Sequence, residues 1–421
     1  MNILFVFECS NLETNGTTAT CNRFAHELRK KGHTVRILSI PHPLKNPEHY
    51  FNLKPFHFPI FQGLIEKEGF SFAKLDYEVI YQAVKWADVV HLFLPFKLSN
   101  VARIMAEAEG KAVTSAYHLQ PQNVTSALHM GYMTLINNAL YAGFRDYLYV
   151  HTRHVHCPSE MIANQLKEHK YVNNECHVIS NGVIPFFHHV DSEKPEAYKD
   201  KFVVTMSGRL AKEKRQDLII KAIASSKYNK DIQLVLCGQG PLEKRYRRLA
   251  HKKGLANPIQ IHFCNQEELR NVLCYSDLYV HASDFEIEGI SAIEAITCGA
   301  VPLISDSKLS ATNDFSLDDE HCIFKHGCVT SLREKIEYLY EHPELRKELS
   351  KRYEESAPQF ALKEQVDRLE KMFEIAIEET KEKKDIPNTI YCKADHKRAK
   401  KIYSKLIKKG IVDSLPQYCL K

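Results

Sequence analysis

Two carboxylates eight positions apart bound the segment Glu286-Ile287-Glu288-Gly289-Ile290-Ser291-Ala292-Ile293-Glu294. The segment follows an apolar run and leads into a helical pattern that opens near Gly289, so Glu286 falls in a loop and Glu294 in the second helical turn. A helix N-terminus carries unpaired backbone N–H groups and a partial positive charge. The backbone of residues 287–290, with Gly289 and Ile290 at its centre, can therefore bind a phosphate while both carboxylates accept hydrogen bonds from hydroxyls. A sugar nucleotide offers both kinds of group. Upstream, Gly208-Arg209-Leu210-Ala211-Lys212-Glu213-Lys214 directly follows the apolar run 202–207. Strand ends are where ligands dock in open α/β sheets, and Arg209 with Lys214 can grip a diphosphate there, Arg bidentately. Gly238-Gln239-Gly240-Pro241 closes the next run and leaves the backbone room for close approach. It is not G-x-G-x-x-G, so dinucleotide binding has weak support. Each feature alone also reads as ordinary structure: a helix-start acid, a solvated helical Glu, a basic surface turn.

The elements that must position these residues are α/β units. Residues 1–7 are a continuous apolar run, followed by a polar loop with Asn15-Gly16-Thr17-Thr18, a helical stretch over about 19–30 closed by Gly32, and a strand over 35–40. This βαβ opening predicts a doubly wound domain. Apolar runs at 89–94, 112–116 and 155–157 continue it. A connector rich in Pro, His and charge spans 185–201, and a second series of strands follows at 202–207, 232–237, 259–263, 278–281 and 300–304. Residues 331–380 read as charged surface helices. At 421 residues the chain is expected to form two domains.

Composition narrows the class. Hydrophobic residues make up 44% and charged residues 26%, as in a folded globular protein. The 12 cysteines form no C-x-x-C pair and no regular framework, which predicts reduced thiols and a cytoplasmic setting. Residues 1–7 lack a basic n-region, so they read as a buried strand and not as a signal peptide. Of the net charge of +5, residues 381–421 hold +8 and the rest −3, so the basic character sits in the tail and no nucleic-acid partner is expected.

In their order and spacing these pieces resemble the retaining GT-B glycosyltransferases that share an E-x7-E motif, including members that glucosylate or galactosylate diacylglycerol. The matching stretches are the Gly16 loop, Asn181-Gly182, Gly208-Arg209-Leu210 with Lys214, Gly238-Gln239-Gly240, Ser276-Asp277, residues 286–294 and Cys298-Gly299-Ala300-Val301-Pro302. The resemblance covers most of the chain. It implies two facing Rossmann-like domains with the active site in the cleft between them: an acceptor domain at 1–183, a donor domain at 201–355, a helix over 356–380 crossing back, and a basic tail at 381–421. It implies that Glu286 contacts the donor sugar and Glu294 the ribose. Arg209 and Lys214 would neutralise the leaving diphosphate, reached also by Gly16 and Thr17 and, in the donor domain, by Gly240. His118, in Tyr117-His118-Leu119-Gln120-Pro121, would line the reacting sugar. Thr17 stands where the family usually has a second Gly, and Glu288 where it commonly has an apolar residue. The 263–266 loop is shorter than the usual base-reading loop.

The expected activity is transfer of a hexose from a nucleoside-diphosphate sugar, UDP-glucose or UDP-galactose, to an acceptor hydroxyl with retention. No cofactor and no metal are expected, and no D-x-D occurs. His151, His154, His156 and Cys157 suggest zinc, but on a strand only His154 and His156 share a face. Residues 112–144 hold no Asp, Glu, Lys or Arg, and the tail places Ala399, Ile402, Tyr403 and Leu406 on one helical face among lysines. Read together, they favour a lipid acceptor such as diacylglycerol and peripheral binding to the anionic inner face of a membrane. The alternatives are a polyprenyl-linked or cell-surface glycan as acceptor, a phosphorylase or epimerase on the same architecture, and a non-catalytic sugar-nucleotide-binding subunit.

Overall fold

The computed structural model describes residues 1–8, 16–41, 46–57, 71–127, 131–382 and 389–420; Asn15 of the N-terminal loop lies outside them. The chain divides into two compact units, one of residues 1–179 with 365–421 and one of residues 180–364.

The first unit is built on seven parallel strands, β1 (Asn2–Val6), β2 (Thr34–Ser39), β3 (Tyr50–Asn52), β4 (Val89–Leu92), β5 (Ala112–Ala116), β6 (His154–Cys157) and β7 (Glu175–Val178), in the order β3-β2-β1-β4-β5-β6-β7. Ile3 to Val6 of the central β1 are fully buried, as a strand covered on both faces requires. Helix α1 (Gly16–Lys30) joins β1 to β2 and stops before Gly32 at φ +91°. Helices α2 (Lys97–Ala108) and α3 (Thr134–Tyr147) follow β4 and β5. The second unit repeats the plan with β8 (Phe202–Ser207), β9 (Ile232–Cys237), β10 (Gln260–His262), β11 (Leu278–His281), β12 (Val301–Ser305) and β13 (Ile323–Phe324), ordered β10-β9-β8-β11-β12-β13. Helices α4 (Gln216–Ala224) and α5 (Ile290–Thr297) follow β8 and β11. Both sheets reverse their order beside the first strand, the topological switch where open sheets bind ligands.

Helix α6 (Leu362–Lys381) crosses from the second unit into the first, where Phe373 packs on Phe5 and His91. Helix α7 (Thr389–Lys408) carries the basic tail. Its apolar residues Ala399, Ile402, Tyr403 and Leu406 are buried, packed on α2 and the helix Tyr77–Trp86 of its own unit. Fully buried Arg103 donates to Asp395 at 2.9 Å and to Glu107 at 2.6 Å, which fastens this packing. The apolar face of the tail is thus not offered to a membrane. Lys397, Lys400, Lys401, Lys405 and Lys408 remain exposed. The charge-free stretch is no single buried helix: it runs through β5, the short helix Pro121–Ala127 and α3, and leaves Tyr132, Met133 and Leu135 exposed, Leu135 at 83%.

Candidate active site

In the second unit three loops meet at the switch point. After β8, Gly208 donates its N–H to the carbonyl of Cys237 at 2.9 Å, and Leu210 donates to Gln239 at 3.0 Å. A Cβ on Gly238 would lie 2.0 Å from the Gly208 carbonyl oxygen, and one on Gly240 2.6 Å from that of Leu210. Both positions must be glycine because two backbones interleave there.

The turn Lys212–Lys214 ends in Arg215, held in the left-handed region at φ +55°. Its guanidinium donates to Asp284 at 2.9 Å and to Asp217 at 3.2 Å, and the Asp284 N–H donates to the Glu213 carbonyl at 2.8 Å. The turn is thereby fastened to the loop after β11, two residues before Glu286. Lys214 Nζ is hydrogen-bonded to Glu286 Oε2, and His281 Nε2 lies 3.5 Å from the same oxygen. Burial works to raise the Glu286 pKa, but Lys214 and His281 more than offset it and take the group down to about 2. Glu286 is therefore an ionised acceptor at any physiological pH.

Gly289, at φ +93°, forms the N-cap of α5, and a Cβ there would meet the Thr312 methyl at 2.3 Å. Ile290 opens the helix, and Glu294 is buried in its second turn. The structure thus brings together Lys214, Glu286, Gly289 and Ile290, with Gly240 on an adjoining loop. Arg209 sits on the same loop as Lys214, 42% exposed at its side chain and bonded to Glu213 at 2.9 Å.

The sequence reading assigned no role to Glu288. It is buried, and its carboxylate accepts from the Asn181 backbone N–H at 3.0 Å and from the Asn181 amide at 2.6 Å. Burial pushes its pKa up to about 7 despite the bonds from Ser180 and Asn181. The departure from the apolar residue expected at this position is explained by a clamp on the first residues of the second unit.

In the first unit Gly16 and Thr17 form the opening turn of α1. His118 follows β5 by two residues and is 6% exposed. It stacks on Phe93 at 5.4 Å between ring centroids and meets His156 edge-on at 5.0 Å. Burial, then His156 and His91, hold its pKa well below the ordinary histidine value, so the ring is neutral. Its Nε2 has no hydrogen-bond partner among the described residues, which leaves a ring nitrogen free for a ligand hydroxyl. His91, whose ring meets Phe93 at 5.0 Å and stacks on His156 at 6.1 Å, was missed, because it reads as one polar residue inside an apolar strand; His156 drew notice only as a zinc candidate.

The four residues that suggested zinc do not converge. His154 bonds His177 at 3.0 Å and Glu379 at 2.9 Å, while the His156 Nε2–H donates to the Ile179 carbonyl at 2.7 Å. His154 groups instead with Glu175 and His177.

Residues 14–185 match the model described as Glycosyltransferase Family 4, and residues 189–356 that described as Glycosyl transferases group 1. With these matches spanning both sheets and all three loops, the chain belongs to the group 1 glycosyltransferases of GT-B fold. Among similar proteins is the GPI3 subunit of phosphatidylinositol N-acetylglucosaminyltransferase from Saccharomyces cerevisiae, 33% identical over 112 residues, covering 26% of this chain and 24% of that protein. Over such curated relatives the match extends to only 24% or 33% of their own length. A solved structure of HepE from Anabaena with UDP and glucose matches 89% of this chain and 99% of that chain at TM-score 0.66 and 16% identity, a likeness of fold. The catalytic domain of a cholesterol-α-glucosyltransferase from Helicobacter pylori is 40% identical, covering 38% of this chain and 99% of that chain at TM-score 0.37.

Proposed function

We propose that this protein transfers a hexose from a nucleoside-diphosphate sugar to an acceptor hydroxyl with retention of configuration, and that the acceptor is a membrane lipid. The observation that carries the transferase reading is the Lys214–Glu286 pair at the N-terminus of α5. A cation, an ionised carboxylate and free helical N–H groups stand at one switch point, where a diphosphate and a sugar can be held together. Charge grows on the departing diphosphate in the transition state, so Lys214 and Arg209 placed beforehand accelerate the transfer itself. Glu286 accepts from the sugar hydroxyls, Glu294 from the ribose, and neutral His118 offers its free nitrogen to the reacting sugar. The leaving phosphate takes the proton of the attacking acceptor hydroxyl, so no protein nucleophile is needed.

Three observations support a lipid acceptor. Tyr132, Met133 and Leu135 expose apolar surface in the unit that holds His118. The outer face of α7 is a row of exposed lysines. The yeast relative's name places its chemistry on phosphatidylinositol. The test is incubation of purified protein with UDP-glucose and UDP-galactose, each with diacylglycerol vesicles or a soluble sugar acceptor, followed by mass spectrometry and NMR of the anomeric linkage. An α-glycolipid made by the parent and not by Lys214→Ala supports the reading. Turnover restricted to soluble acceptors removes the lipid, and no transfer from any donor removes the transferase.

A further inference from the structure

Strands β9 and β10 are parallel neighbours whose last residues, Cys237 and His262, are register partners. Side chains at paired positions of adjacent parallel strands share a face, and so do positions two apart along an extended chain, which adds Cys264 to the same side. The two sulfurs and a ring nitrogen of His262 all lie within 4.8 Å of one another. For comparison, ~2.3 Å Zn–S and ~2.0 Å Zn–N bonds at tetrahedral angles put such ligand atoms roughly 3.5 to 4 Å apart. The cluster therefore needs a contraction of at most about 1.3 Å to close on an ion.

We propose that Cys237, His262 and Cys264 bind one Zn²⁺ ion, with the fourth coordination position open to solvent. Two thiolates and an imidazole are a soft set that selects zinc over magnesium or calcium. The burial gradient fits one open position: Cys237 is buried, Cys264 half-buried and His262 exposed. Behind the sulfurs, Cys237 belongs to a small apolar cluster with Tyr198, Val203, Val235 and Val272, against which Cys264 and Tyr275 pack. Such a shell keeps water from the thiolates on one side and strengthens their hold on a cation.

The position of the ion gives it a structural task. Gly238, next to Cys237, donates its N–H to the His262 carbonyl at 2.9 Å and passes against Gly208 of the loop that carries Arg209 and Lys214. An ion tying the ends of β9 and β10 fixes the Gly238–Gly240 backbone, and through it the neighbouring loop. The ion takes no part in the sugar-transfer step, and its ligand set does not depend on the proposed donor or acceptor.

The test uses the full chain, reduced with a phosphine, stripped by a chelator and titrated with Co²⁺ as a spectroscopic substitute for zinc. One equivalent is expected to bring tetrahedral d–d bands and a thiolate-to-metal charge-transfer band, both removed by one equivalent of Zn²⁺. Zn²⁺ is also expected to raise the thermal midpoint of the parent. Cys264→Ser and His262→Gln, at positions that are not fully buried, are expected to weaken binding by more than tenfold while folding normally. Cys274→Ser, which lies elsewhere, is expected to titrate as the parent does. Absence of the charge-transfer band, or equal titration of the parent and Cys264→Ser, overturns the site. So does a parent that fails to take up metal and is isolated with a Cys237–Cys264 disulfide, which would make the pair a redox element.

Discussion

The backbone N–H and the side-chain amide of Asn181 both donate to the carboxylate of Glu288, at 3.0 and 2.6 Å, across 107 positions of sequence. The pKa of this carboxylate, raised to about 7 from an ordinary 4.5, means that the folded protein holds the proton more tightly than the unfolded chain. Its stabilising contribution is full below pH 4.5 and is lost as pH rises through 7. Urea midpoints at pH 5 and 8 should therefore fall more for the parent than for Glu288→Gln, by on the order of 2 to 3 kcal/mol after conversion. Glu8, raised to about 8 by burial, contributes with the same sign in both proteins and cancels in the difference.

Lys214→Ala removes the cation from the Glu286 carboxylate. Turnover should drop roughly ten- to a thousandfold, the scale of losing one preorganised electrostatic contact. The turn itself should survive, because it is held by Arg215 and Asp284, while the thermal midpoint should fall somewhat as Glu286 keeps only His281 against its burial. Steady-state rates beside a thermal melt check both halves.

Glu286→Gln should reduce turnover more than donor binding, and Glu294→Ala should do the reverse. Calorimetric titration of donor beside kinetics separates the two. Equal effects of both changes on binding would remove the distinction between sugar and ribose, and exchanged effects would reverse it.

His118 should show no titration between pH 6 and 8, since its ring is already neutral. NMR of the ring resonances should find them constant over that range. His118→Ala should lower turnover by on the order of a hundredfold. A histidine titrating near 6.5 would mean that the pocket is open to water.

Gly289→Ala places a methyl against Thr312 and forces a non-glycine residue to φ +93°. The strain should cost roughly 1 to 3 kcal/mol, read as a lower thermal midpoint. Adding Thr312→Ser should recover only the part due to the clash.

Much of this was legible from residue order alone. The βαβ alternation, the glycines at strand ends and the Glu286–Glu294 spacing are local patterns, and β1, β5, β8, β9 and β11 fall on or within a residue or two of the apolar runs. Three strands of the two main sheets were missed: β3, β7 and β13 are short and lie at sheet edges, and Glu175-Cys176-His177-Val178 contains no apolar run. The tail helix was legible as amphipathic, but one segment does not reveal what covers its apolar face, because a membrane and a neighbouring helix would both bury Tyr403 and Leu406. Glu288 was opaque for a similar reason: its partner is distant in sequence. Membrane binding by the tail is thus best tested by replacing exposed Lys397, Lys400, Lys401 and Lys408 with Glu, which leaves the buried face intact. Truncation before Asp395 would instead take from Arg103 one of its two carboxylate partners, leaving Glu107, and strip the cover from α2, so a loss of folding would be mixed with any loss of membrane binding. Vesicle flotation at low salt should fall in the Lys→Glu variant while its melting curve stays near the parent's.

The Arg103–Asp395 pair also orders events during synthesis. Arg103 leaves the ribosome almost three hundred residues before Asp395, so the first unit waits, with a cation it cannot yet bury, until the last stretch of chain emerges. The second unit is contiguous and needs nothing made later than residue 364. The half translated second can therefore complete its fold while the first still lacks part of its cover, the point at which a chaperone has most to shield.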